Sequence, residues 1–266
     1  MKKYELTSET LQYAGHTLHR IKALRDFGVF KAGELGGWIE SEENLSQADN
    51  AWVYGDAKAY ANAKVYGNAE LFGDARVGEN TKVFGNATVH GKAVIYGDAM
   101  ICGNARVSGN ATVSDNARVF DNARIFDNAE VYDKADVLGY ASVRGNAKVF
   151  GKAKIYGNAE ICDNAKVRDN ATVFRIATVG YKAEIGGNAK VSSNRDYLVF
   201  KNFWSSGRYF TWTRSNNKWS VGCFYGTGEE LIKKAYADSE ISGREYERVV
   251  RYVESILADE KKETSN

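Results

Sequence analysis

Three histidines, three cysteines and a run of evenly spaced aspartates are the residues of this chain with the chemistry for catalysis or metal binding. A catalytic imidazole needs a cleft and an orienting partner. A zinc site needs three or four converging nitrogen or sulfur ligands, and His16, His19 and His90 are too few and too scattered to supply them. Cys102, Cys162 and Cys223 form no CxxC pair and no even disulfide framework. Asp115, Asp121, Asp127 and Asp133 recur every six residues, a spacing that suggests calcium only if the backbone brings them together. A different chemistry is offered near the C-terminus. Trp204, Arg208, Tyr209, Trp212, Arg214, Trp219 and Tyr225 mix flat rings with guanidinium groups, a set suited to single-stranded nucleic acid, nucleotide, sugar or protein contact. The same residues also suit a small aromatic core between a hairpin and helices, and both readings stay open.

The elements that hold these residues follow from a repeat. From Ala51 to Ala189 every sixth residue is Ala, with Thr81 the one exception, and two residues later stands Val, Ile or Leu, with Ala59 the one exception. Positions i and i+2 point the same way on an extended segment, so they form one buried stripe. A corner follows in which the first residue is Gly or Asp in 19 of 23 units and the second is mostly Asn or Asp. These types tolerate left-handed backbone or bond their own turns. A short strand, a corner every six residues and a single inward face describe a coil with three sides and 18 residues per turn. The absence of Pro from all 266 residues fits a stack that uses its backbone N–H groups.

The 24 hexads of residues 51–194, written A-x-V-x-G/D-N as in Ala105-Arg106-Val107-Ser108-Gly109-Asn110, resemble the hexapeptide-repeat, left-handed β-helix superfamily, which includes acyltransferases and γ-type carbonic anhydrases. Left-handedness is what the resemblance implies; the general rule for parallel crossovers favours the right hand. Arg25-Asp26-Phe27, Gly36-Gly37-Trp38-Ile39-Glu40 and Asn44-Leu45-Ser46-Gln47 resemble the opening segment of uncharacterised bacterial and phage hexapeptide proteins, which implies a phage or prophage accessory role acting on a host factor. The expected fold is therefore all-β: a left-handed parallel β-helix of about eight 18-residue coils, an N-terminal β cap in residues 1–50 and a small α/β module in 195–266. Tyr4-Glu5-Leu6 and Leu18 to Leu24 read as cap strands around Ala14-Gly15-His16, with Ile39 and Leu45 in the Ala phase. In the module, Tyr209–Arg214 and Lys218–Phe224 read as a hairpin around Ser215-Asn216-Asn217. A short helix starts at Gly228, a second runs from Ser242 to Leu257, and a charged tail begins at Lys261.

An 18-residue coil sorts the chemistry by face. Cys102 and Cys162 fall on different sides and cannot bridge; of the aspartates only Asp115 and Asp133 become neighbours, so a corner role is expected and no metal or cofactor. Superfamily acyltransferases depend on a catalytic His and on loops that interrupt the coils near a subunit boundary. No loop interrupts these hexads, so a transferase with an intersubunit CoA site rests on His90 alone. The plain reading of His90 is a surface imidazole between Phe72 and Ser108. One outward ladder, Tyr66, Phe84, Cys102, Phe120, Leu138, Tyr156 and Phe174, stays apolar throughout. It is expected to form a dimer or trimer contact or a partner contact, or else to lie under the C-terminal helix. The net charge of +2 excludes a globally basic nucleic-acid binder, leaving nucleic acid only to the C-terminal cluster. Neither a membrane-spanning apolar run nor a secretory leader is found, so a cytoplasmic protein is expected. The leading function is a non-enzymatic scaffold that presents its C-terminal module and an apolar face to a protein or ligand.

Overall fold

The computed structural model describes residues 1–264; Ser265 and Asn266, the end of the expected tail, lie outside them. Residues 52–191 form a parallel β-solenoid of two-residue strands. Each strand pairs in register with the one 18 residues later, as Thr88 with Arg106 and Val89 with Val107. Three sheets result, one per side of the coil. The inward Ala and Val, Ile or Leu side chains form one continuous core with essentially no exposure.

The corners explain the composition. The first corner residue has positive φ in every unit from Gly55 to Gly187, including Ala61, Glu79, Arg175 and Tyr181, where the left-handed backbone is unfavourable for a side chain. The acidic ones add a bond: Asp121 Oδ2 accepts the N–H of Gly139 at 3.1 Å, and Asp127 that of Gly145 at 3.0 Å. The second corner residue builds amide ladders. Nδ2 of Asn50, Asn68, Asn86 and Asn104 each donates to Oδ1 of the Asn 18 residues on, at 3.0–3.2 Å, ending at Asn122. A second ladder runs from Asn110 through Asn128 and Asn146 to Asn164. Backbone donors at alternate positions reach the next coil, as in Asn104 N to Asp121 O at 2.6 Å and Arg106 N to Ala123 O at 2.9 Å. A proline at any of these sites would delete an inter-coil bond.

The solenoid starts earlier than the periodicity indicates. Strands Tyr4–Tyr13 and His16–Ala23 form an antiparallel hairpin, and Leu35–Ile39 pairs with it on one side and with the first solenoid strand of its sheet on the other. Ile39 faces Ala59 and Leu45 faces Val65. Both residues thus occupy the Val phase, not the Ala phase, because the chain between Leu45 and Val53 is two residues longer than one hexad. The stack has about nine turns rather than eight, and Leu35–Ile39 continues its first sheet.

Side chains occupy the backbone positions left open at both ends. The carbonyls of Ala51 and Ala63 accept from the side chains of Lys3 (Nζ, 2.8 Å) and Asn44 (Nδ2, 2.9 Å), whereas that of Ala57 takes the backbone N–H of Trp38 at 3.0 Å. At the other end, Thr178 N, Glu184 N and Lys190 N donate to Asn194 Oδ1, Thr211 Oγ1 and Ser215 Oγ at 2.8, 2.9 and 2.7 Å.

The C-terminal module is a four-stranded antiparallel sheet, Tyr197–Lys201, Tyr209–Thr213, Lys218–Val221 and Phe224–Gly226, followed by α1 (Gly228–Asp238) and α2 (Glu240–Thr264). Thr227 caps α1 through the Glu230 N–H, and Glu230 returns a bond to the Thr227 N–H. Strand alternation gives the sheet two faces. Phe210, Trp212, Trp219 and Val221 pack on Leu231, Ile232, Ala235, Tyr246, Val250 and Val253 of the helices, whereas Tyr197 and Val199 pack on the solenoid core. Two expectations change here. The apolar face of α2 covers this sheet and not the Tyr66–Phe174 ladder, and the helix continues through the stretch expected to be a charged tail.

Candidate functional site: the junction of solenoid and module

The aromatic–arginine cluster divides between core and surface. Trp212 and Trp219 are 1% and 2% exposed, inside the module core, so neither presents a ring to a ligand. Trp212 Nε1 donates to Asn217 Oδ1 at 2.8 Å. Trp204 packs edge-on to Tyr246 with ring centroids 5.4 Å apart. Tyr225 turns towards the solenoid, donating to Gly186 O at 3.2 Å beneath the Arg168 guanidinium. Arg214 is held by both carboxylate oxygens of Glu260 at 2.6 and 3.0 Å. These five residues were expected in a binding set; the structure gives each of them contacts within the protein.

Arg208 and Tyr209 remain, and the solenoid adds partners that sequence reasoning missed. Together with Asn164, Lys166, Lys182, Glu184 and Gly222 they line a cleft of about 360 Å³ between the last coils and the module. Tyr209 is its aromatic lining residue. Its hydroxyl is 3.0 Å from that of Tyr181, and the two rings meet edge to face at 5.1 Å. This hydroxyl contact raises the Tyr181 pKa. Lys182 Nζ lies 4.9 Å and Lys201 Nζ 5.9 Å from the Tyr209 ring centre, within cation–π range. The one acid of the cleft, Glu184, is engaged by Arg168 Nε at 2.7 Å. Lys166, Lys182 and Arg208 therefore give the cleft a positive side. A partial signal for this site was present in the repeat: Tyr181 is one of four first-corner residues, with Ala61, Glu79 and Arg175, that are neither Gly nor Asp. Tyr181 also adopts φ +59°, a strained setting for an aromatic residue.

The remaining candidates stay apart. His90 stacks flat on Phe72 at 4.7 Å, and burial, with help from Arg106, lowers its pKa. His16 contacts Glu40 at 3.0 Å. Among the described residues no group of three His, Cys, Asp or Glu could hold a metal ion, and the three cysteines are free. Asp115, like its successors, spends its carboxylate on a backbone N–H one coil on, that of Asp133 at 3.2 Å. In the apolar ladder, Tyr66 stacks on Phe84 at 4.8 Å and Tyr156 on Phe174 at 5.3 Å. Phe120 and Leu138 are half-buried. Similar stacking joins Tyr132 to Phe150 on another side of the coil, so it is a property of the coil spacing and not of one face. Among the described residues no helix is long and apolar enough to cross a membrane.

No curated protein matches the chain. A family model described as the YdcK beta solenoid repeat matches residues 99–115 and 105–119, in the middle of the coils, and over that stretch the chain is similar to this repeat family.

Proposed function

We propose that the chain is a non-enzymatic scaffold, a left-handed hexapeptide β-helix that binds an acidic segment of a partner protein in the cleft between its last coils and its C-terminal module. The observation that carries this reading is that Lys166, Lys182 and Arg208 line the cleft together with Tyr209, with the single acid among the lining residues already paired to Arg168. An acidic peptide supplies carboxylates for those cations and main chain for the exposed tyrosine edges. A base-stacking platform is less well served, because Trp212 and Trp219 are enclosed and the Tyr209 ring is flanked by Tyr181 and two lysines. The biological setting follows the resemblance of residues 25–47: a phage or prophage accessory protein acting on a host factor in the cytoplasm. The Tyr66–Phe174 ladder is the surface for self-association into a dimer or trimer, to be read from the molar mass by light scattering.

The cleft is tested by fluorescence anisotropy with a labelled oligo-glutamate peptide and a labelled oligo-dT. The expected result is peptide binding that weakens with salt and falls by roughly tenfold or more in Lys182→Glu/Arg208→Glu. Tighter binding of oligo-dT, lost in the same variant, would move the reading to nucleic acid. A thermal shift with acetyl-CoA that disappears in His90→Ala would replace the scaffold with a transferase.

A further inference from the structure

On a different side of the solenoid, in mid-stack, two arginines face each other across adjacent coils. Arg106 and Arg124 are register partners in parallel strands, which places their backbones about 4.8 Å apart. Like charges directly opposite destabilise a sheet. Elsewhere the coils pair opposite charges: Arg118 with Asp136 at 2.7 Å and Lys148 with Glu130 at 2.7 Å. Lysines that face one another, as Lys64 and Lys82 do, carry flexible point charges. A guanidinium instead presents a fixed fork of donors that matches an oxyanion. Neither arginine has an ion pair or a side-chain hydrogen bond among the described residues. The nearby carboxylates are engaged: Asp121 by Gly139 N, Asp127 by Gly145 N and Glu160 by Arg144.

The two side chains line a cleft of about 300 Å³ with Asn104, Asn122, Tyr140 and Ser142. Here the amide ladder stops. Asn104 Nδ2 donates to Asn122 Oδ1 at 3.1 Å, but the next position is Tyr140, so the Asn122 amide has no acceptor below it. Tyr140 is 68% exposed. The cleft thus gathers two guanidinium groups, a free amide donor and a hydroxyl, with no free carboxylate among its lining residues.

We propose that this cleft binds the phosphoryl group of a phosphate monoester, held between Arg106 and Arg124 with Asn122 Nδ2 and the Ser142 hydroxyl donating and the Tyr140 ring beside the ester group. The site is independent of the junction cleft in residues and in position. The test is calorimetric titration of the full chain at low salt with inorganic phosphate and with phenyl phosphate. Saturable binding is expected, about tenfold weaker or more in Arg106→Gln/Arg124→Gln. Tyr140→Asn is expected to weaken binding with the melting temperature held or raised, because it extends the ladder and gives the Asn122 amide an acceptor. Tighter binding of phenyl phosphate assigns the site to an organic monoester, and equal affinities assign it to free phosphate. No saturable binding by the wild type, or an unchanged affinity in a folded double-arginine variant, would overturn the proposal.

Discussion

Asn44 ties the first coil to the next, and its replacement gives a sharp prediction. Its side chain is fully buried and makes four backbone bonds. Nδ2 donates to Ala61 O at 2.8 Å and Ala63 O at 2.9 Å, and Oδ1 accepts from Glu40 N at 3.1 Å and Ser41 N at 2.9 Å. Asn44→Ala removes all four and leaves a small cavity beside them. At a net ~0.5–1.5 kcal/mol per bond the loss is about 4 kcal/mol. Asn44→Asp keeps the two accepted bonds but turns a carboxylate towards two carbonyls, so it should cost at least as much. A solenoid is quasi-one-dimensional, so the damage should stay local. Hydrogen exchange read coil by coil is the right assay, because a long repeat array need not unfold as one unit. Protection should fall at Lys64 and Tyr66, whose N–H groups bond to the following coil, and hold at Arg118 and Phe120. A loss below about 0.5 kcal/mol, or an even loss along the stack, would refute the claim that side chains finish the ends of the coil.

Three further outcomes are expected. Thr211→Val, which preserves shape but leaves the Glu184 N–H without its acceptor, should cost ~1–3 kcal/mol in urea titration and loosen the last coil selectively. Gly97→Ala should be among the more damaging corner changes, because φ is +73° and a new Cβ would stand 2.6 Å from Asp115 N; Tyr181→Gly should be tolerated or stabilising by about 1 kcal/mol, and thermal melts separate the two. Burial pushes the Lys3 ammonium down to about 8, against an upward pull from Asp49. Between that value and the ~10.4 of an unfolded lysine, the unfolded chain holds more protons, so stability should rise with pH across this window. Lys3→Met should abolish the rise. Above ~10 the buried Tyr4 phenol, whose pKa is raised by burial, works in the opposite direction and stability should fall.

The coils were legible because their physics is local. Ala and Val at i and i+2 with a left-handed corner residue leave few alternatives, and the structure places that backbone at every corner, even at Arg175 and Tyr181. The first coil was misplaced because two extra residues between Leu45 and Val53 break the count while the pairing continues. The amide ladders went unread, although an 18-residue coil applied to Asn50, Asn68, Asn86, Asn104 and Asn122 would have aligned them. In the C-terminal module the alternation of Tyr209, Phe210, Thr211 and Trp212 was readable, but which face receives the helices and which the solenoid is a tertiary outcome. That choice enclosed Trp212 and Trp219 and left Arg208 and Tyr209 to meet Lys166 and Lys182, residues of a distant part of the chain.

The most direct test of the binding account is a map of amide chemical shifts as an oligo-glutamate peptide is titrated into the full chain. Perturbations concentrated at Asn164–Lys166, Tyr181–Glu184, Arg208–Tyr209 and Gly222 are predicted. A bound peptide whose perturbations lie away from these residues, or a spectrum that does not change, would contradict it.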